Sequence, residues 1–181
     1  MAGTETMGNK LFPKFGEFDS YEEINRVAEA QLKEGDKEAI KLLAKENGLD
    51  EMDAEDYMSG FSEELCTEFS AAVGKIQKET EYLKPSMTLE AWNTYLFEML
   101  TADTTASDGK SNLCAAVRKK GKYLSELYAK IIVECFNTKA KVPKEVEDEC
   151  RKLDKSIPNT FYMGDISRAR LKEIVREYYL S

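Results

Sequence analysis

The stretch ENGLDEMDAEDYMSG, from Glu46 to Gly60, contains a helix end, a turn, a helix start and a second helix end. Gly48 is the small residue that closes a helix. Asp50 is an N-cap whose carboxylate accepts from early helical N–H groups, and Gly60 closes the helix that Asp50 opens. Ala44 upstream, Leu49 in the turn, and Ala54 and Tyr57 on an inner side complete the spacing of a helix-turn-helix. In a DNA reader the second helix of such a unit enters the major groove. Here it brings Asp50, Glu51, Asp53, Glu55 and Asp56, and no Lys or Arg. The frame and the charge disagree.

Upstream the same punctuation repeats. Ser20 opens SYEE, a capping-box pattern, and the helix it starts stops at Gly35 with Ile24, Val27, Ala28 and Leu32 on one stripe. Asp36 caps a second helix with Ala39, Ile40, Leu43 and Ala44 inward. Residues 19–61 therefore read as an acidic three-helix module behind a flexible leader, 1–18, in which Leu11, Phe12, Phe15 and Phe18 are available anchors.

Downstream, residues 62–100 read as central helices. One is capped by Ser62 and carries Leu65, Phe69, Ala72, Val73 and Ile76; the other runs from Leu89 to Leu100 with Trp92, Tyr95, Leu96 and Met99. An aromatic face of this kind, Phe97 included, is core far more often than a stacking platform. TADTTASDGKS, 101–111, is small and polar and reads as a linker. Residues 112–181 form a basic C-terminal helical region. Its helices are capped by Ser111, span Tyr123 to Asn137, open at Pro143 and close the chain as SRARLKEIVREYYL, with Leu171, Ile174, Val175 and Tyr178 inward. SIPNTFYMGD reads as irregular, and no strand period is strong enough to build a sheet.

The 181 residues, 42% hydrophobic and 10% aromatic, suffice for a buried core, and 10 glycines with 4 prolines leave long uninterrupted runs. The expected class is an all-α, compact multi-helix protein: an N-terminal three-helix module with helix-turn-helix-like spacing, plus a larger C-terminal helical part. There is no histidine, which removes the commonest general base and zinc ligand. Cys66, Cys114, Cys135 and Cys150 fit no zinc spacing and read as buried thiols of a reducing cytoplasm. No apolar run is long enough to span a bilayer. P-loop, GxGxxG, HExxH and GxSxG patterns are absent, so neither catalysis nor a cofactor or metal is expected.

Charge carries the functional signal. Residues 1–109 hold 24 acidic and 10 basic residues, and residues 110–181 hold 10 acidic and 16 basic ones. The sharpest block is Glu46 to Gly74: Glu46, Asp50, Glu51, Asp53, Glu55, Asp56, Glu63, Glu64 and Glu68, with no Lys or Arg. Two readings fit. One is a solvated face whose carboxylates favour helix N-termini. The other is a protein-binding surface, Asp50, Glu51, Asp53, Glu55, Asp56, Glu63, Glu64 and Glu68, for a strongly basic partner. Glu51 and Glu55 are separated by a helical rise of about 6 Å, and DNA rises about 3.4 Å per nucleotide on each strand. A carboxylate ladder thus roughly follows every second phosphate and can mimic DNA in a basic groove. The C-terminal part offers possible nucleic-acid-binding cations: Arg118, Lys119, Lys120 and Lys122 near a helix end, and Arg168, Arg170, Lys172 and Arg176 along the last helix. They equally suit helix C-termini or partners within the fold.

FGEFDSYEEINRVAEAQLKEGDKEAIKLLAKENGLD (Phe15 to Asp50), AAVGKI (Ala71 to Ile76), LKP (Leu83 to Pro85), AVRKKGKYL (Ala116 to Leu124) and IVREYYL (Ile174 to Leu180) together resemble proteins carried by mobile elements of gut Clostridia and other Firmicutes. Members of that group are similar to anti-CRISPR proteins that inhibit the Cas9 nuclease. The resemblance implies a non-enzymatic inhibitor in the bacterial host cytoplasm, with Cas9 and its guide RNA as partner. Such effectors hold nucleic acid in positively charged channels. The acidic surface would block target DNA recognition or cleavage. The alternative is a DNA-binding accessory or regulatory protein of a mobile element that uses the basic C-terminal helices.

Overall fold

The computed structural model describes residues 6–106 and 112–181. The described residues form ten helices and one small two-stranded sheet, an all-α fold. The helices of the N-terminal part are α1 (Met7–Leu11), α2 (Tyr21–Glu34), α3 (Lys37–Glu46) and α4 (Glu51–Ser59). Then come α5 (Glu68–Leu83), α6 (Met87–Ala106), α7 (Asn112–Arg118) and α8 (Leu124–Asn137). Strand β1 (Ala140–Lys141), α9 (Lys144–Leu153), β2 (Tyr162–Met163) and α10 (Arg168–Tyr179) complete the chain. β1 and β2 pair antiparallel, Ala140 opposite Met163 and Lys141 opposite Tyr162; β2 lies within the segment expected to be irregular, and the two form a small sheet where none was expected.

The caps explain most boundaries. The Ser20 hydroxyl accepts from Glu23 N, the Asp36 carboxylate from Ala39 N, and Asp53 accepts from the N–H of Asp50 at 3.0 Å. Three expectations move. Residues 6–18, expected as a flexible leader, are anchored instead: Leu11 and Phe12 are buried, and the Glu46 carboxylate accepts from Lys14 N at 2.6 Å and Phe15 N at 2.9 Å. The helix expected from Ser62 begins at Glu68. Thr67 and Ser70 form a reciprocal capping box, and the Asn25 side chain of α2 holds the backbone of Cys66 through both its N–H and its C=O. Helix α6 runs past Leu100 to Ala106, into the expected linker, where Thr101 and Thr104 bond back to the carbonyls of Phe97 and Leu100. Residues 107–111, including the expected Ser111 cap, lie outside the described residues. The Asp103 carboxylate accepts from Leu113 N at 3.0 Å at the start of α7.

Two apolar cores share α5. Ala71 faces the first, with Ile24, Ala28, Ile40, Leu43, Ala54 and Tyr57. Ala72 and Ile76 face the second, with Leu100, Val117, Leu124, Ile131 and Ile174. Trp92, Tyr95 and Phe97 pack against that second core.

Between the cores lies a polar seam. Lys75 of α5 and Arg118 of α7, each 1% exposed, are its cations. The Lys75 ammonium contacts Glu17 at 2.8 Å and Glu79 at 4.0 Å, and donates to the Lys119 carbonyl at 2.5 Å. Glu79 also accepts from Leu124 N, and Glu17 from the Tyr123 hydroxyl at 2.9 Å. Arg118 donates to Asn47 Oδ1 at 2.6 Å, lies over the Phe12 ring, and leaves Nε and Nη1 without a hydrogen-bond acceptor. The seam thus ties the N-terminal segment, the α3–α4 turn, α5 and α7 together.

Burial pushes the Glu79 carboxyl up to about 7 from an ordinary 4.5, against the pull of Lys75. The native state therefore holds an extra proton between those values. This group's contribution to stability falls as pH rises through that window and is constant above it. The loss is on the order of 3 kcal/mol. Urea midpoints of wild type and Glu79→Gln at pH 5 and pH 8 check this. The variant should gain on the wild type at pH 8; parallel pH profiles would rule it out.

Candidate functional site

The acidic block does not stay together as one unit. Glu46 turns inward and serves as the anchor of residues 14 and 15. Asp50 and Glu51 border a cleft of about 540 Å³ together with Lys41, Lys45 and Lys78, and Glu51 lies 3.7 Å from Lys41. Charge is locally balanced there. Asp53 bonds back to its own helix start.

The remainder forms a face. Glu55 on α4 and Glu63 and Glu64 in the segment after it are exposed, with Asp53, Asp56 and Glu68 half-buried. Glu64, Asp53 and Glu22 of α2 all bear on the buried Cys66 thiol. Burial first, then these carboxylates, pushes that thiol up to about 12, against the opposing pull of Arg118 behind it. Glu22, Glu64 and Glu68 likewise raise Tyr21, after burial. Glu22 is thus a member of the face that the contiguous sequence block does not contain. Among the described residues, no Lys or Arg forms an ion pair with Glu22, Asp53, Glu55, Asp56, Glu63 or Glu64. This face offers fixed negative charge to a cationic partner. Its one thiol, held protonated and buried, offers no nucleophile.

The cations expected to bind nucleic acid are mostly committed elsewhere. Arg118 is a correction: it is buried in the seam and cannot reach a ligand at the surface. Arg168 pairs with Glu98 and lies over the Tyr95 ring, and Lys172 also approaches Glu98, at 3.9 Å. Arg170 is ringed by Glu134, Glu177 and Glu173 at 3.0, 2.9 and 3.2 Å, which push its guanidinium further above its already high value. Lys122 donates to the Tyr178 carbonyl at 2.7 Å. Lys119, Lys120 and Arg176 remain exposed. The last helix therefore spends its first-turn arginines within the fold.

Cys66 and Cys114 are buried as expected, but Cys135 and Cys150 are only half-buried. Among the described residues, no three His, Cys, Asp or Glu side chains are placed to hold a metal ion, and no helix is long and apolar enough to cross a membrane. No protein-family model, curated protein sequence or solved structure matches the chain.

Proposed function

We propose that this protein is an anti-CRISPR inhibitor of a Cas9-type RNA-guided nuclease, acting by direct binding in the bacterial cytoplasm. The carboxylate face of α4 and residues 61–68, with Glu22, takes the place of target DNA in a basic channel of the nuclease. The observation that carries this reading is the contrast within one molecule. The C-terminal guanidiniums of Arg168 and Arg170 have carboxylate partners, whereas Glu22, Asp53, Glu55, Asp56, Glu63 and Glu64 have no ion partner among the described residues. Like charges gathered without counter-charge destabilise a fold, so a partner that supplies the cations is the economical reason for them.

The test is nuclease pull-down and target cleavage with a Glu55→Lys, Glu63→Lys, Glu64→Lys variant. Asp53 is left intact because it caps α4. Binding should weaken by at least about tenfold at low salt, and the difference should shrink as salt rises. Undiminished inhibition by the folded variant would remove the acidic face from the mechanism. The mobile-element accessory reading rests on Lys119, Lys120 and Arg176. It gains if the wild type retains duplex DNA without binding nuclease, and if charge reversal at these three abolishes that retention.

A further inference from the structure

Between α8 and α10 the chain makes an excursion that carries α9 and the paired strands β1 and β2. All four strand residues are exposed. Lys141 stands opposite Tyr162, which puts the two side chains on one side of this ribbon. Just before β1, the Lys139 ammonium lies over the Phe136 ring at the end of α8, 3.5 Å from its centre. Both rings face solvent: Phe136 is 63% and Tyr162 59% exposed. The ribbon is braced against the helix end. The Thr138 hydroxyl reaches the Asp165 carbonyl at 2.8 Å, and Gly164 packs so closely on α8 that a Cβ there would overlap the Cys135 carbonyl. Two ring–cation pairs are thus held out on a fixed support. Their charges differ from those of the adjoining helix. On α9, Lys144 and Arg151 pair with Asp148, and Lys152 pairs with Glu149. Among the described residues, neither Lys139 nor Lys141 forms an ion pair.

We infer that the ribbon and the end of α8 form a docking surface for a single strand of nucleic acid. Lys139 and Lys141 supply cations for its phosphates, and Phe136 and Tyr162 supply flat faces for its unpaired bases. Rings alone would be an apolar patch that many partners could cover, and lysines alone would be a solvated strand edge. Set in pairs and without counter-charge, they complement a partner that alternates an anion with a flat apolar face. A single strand has that alternation, whereas a duplex turns its base faces inward. On binding, the Lys139 ammonium exchanges the Phe136 ring for a phosphate and frees the ring for a base. The net charge of −8 does not oppose this locally, because residues 110–181, which hold the surface, carry 16 basic against 10 acidic residues. The acidic face of α4 takes no part, so the inference does not rest on the nuclease reading. Neither lysine belongs to the basic runs that stand out in the sequence. Lys141 meets Tyr162 only through the strand pairing.

Fluorescence anisotropy of a labelled oligodeoxythymidine of about 15 nucleotides, titrated with the full chain at low salt, tests this. The wild type should bind with a Kd on the order of tens of micromolar. Phe136→Ala with Tyr162→Ala changes only exposed positions. It should keep the helical signal and Tm while weakening binding by about tenfold or more. Phe136→Tyr keeps the ring and should bind as the wild type does. Lys139→Gln with Lys141→Gln should weaken binding and flatten the slope of log K against log salt by about 1.4, the release of two counterions from a single strand. A duplex of the same length should bind more weakly and should not respond to loss of the rings. A wild type that does not bind at about 100 micromolar overturns the inference. So does binding that ignores the ring variant, which would place it at Lys119, Lys120 and Arg176, or a duplex that loses as much as the single strand. Capture of the wild type by vesicles of phosphatidylserine and phosphatidylcholine, without oligonucleotide binding, would assign the surface to lipid and overturn it as well.

Discussion

Lys75→Met is expected to cost about 3–5 kcal/mol at pH 8, the usual penalty for removing one partner of a buried ion pair. The side chain is enclosed at the junction of both cores, so no water replaces the ammonium. Removing it strands the carboxylates of Glu17 and Glu79, one 2.8 Å and one 4.0 Å away, and leaves the Lys119 carbonyl without its donor. Burial, with the Glu17 carboxylate nearby, already drives Glu79 to about 7 with the lysine present. Without the lysine, whose charge lowers it, the Glu79 carboxyl has further reason to take up a proton. The native state of the variant then binds more protons than the unfolded chain, and its deficit shrinks as pH falls towards 5. Chemical denaturation at the two pH values measures this. Adding Glu79→Gln to Lys75→Met should recover part of the loss at pH 8, because it removes one stranded charge. A deficit independent of pH, or below about 1 kcal/mol, would contradict a seam held by charge.

Gly74→Ala is expected to destabilise by about 3 kcal/mol, a fall in Tm of roughly 10 °C for a chain of this length. In an ordinary helix interior the same change stabilises by about 1 kcal/mol. The sign reverses because Gly74 of α5 and Gly48 of the α3–α4 turn touch backbone to backbone. A Cβ on Gly74 would overlap the Asn47 carbonyl, and one on Gly48 would overlap the Gly74 carbonyl. Gly48 is doubly constrained, since its φ of +69° is also left-handed. Neither obstacle is a flexible side-chain tip, so the helix-turn-helix unit would have to lift from α5. That lift would also disturb Arg118, which donates to Asn47 at the same turn. Gly35→Ala is the control. Its φ is +76°, but nothing lies within 4 Å of the added carbon, so it should cost only the left-handed strain of about 1–2 kcal/mol. Thermal melts of the two variants side by side decide the matter. Equal, small losses would mean that the contact yields.

Local chemistry was the legible part. Ser20, Asp36 and Asp50 announce their helices because a cap acts within three or four residues, and the left-handed Gly35 and Gly60 end theirs for equally local reasons. The inward stripe of the last helix, Leu171, Ile174, Val175 and Tyr178, was readable from period alone. Misreadings arose where a local signal had a rival. Ser62 resembles a cap, but Thr67 and Ser70 satisfy each other and Asn25 holds the preceding backbone. The polar threonines after Leu100 resemble a linker, yet their hydroxyls bond back along α6 and the helix continues.

By itself the sequence determined the all-α class, the helix-turn-helix spacing around Gly48 and the concentration of negative charge after it. Each depends on residues within a turn or two of one another. Only the tertiary structure decided which charges face outward. It buried Glu46 as an anchor, brought Glu22 up to Asp53 and Glu64, and drew Lys75 and Arg118 into the seam. It also left Ile132, Val133 and Phe136 of α8 uncovered. The reason is physical: a charge or an apolar side chain has the same local sequence signature whether it meets solvent, a partner or another part of its own chain. Only packing between residues distant in sequence sets the solvation and counter-charge that distinguish these cases.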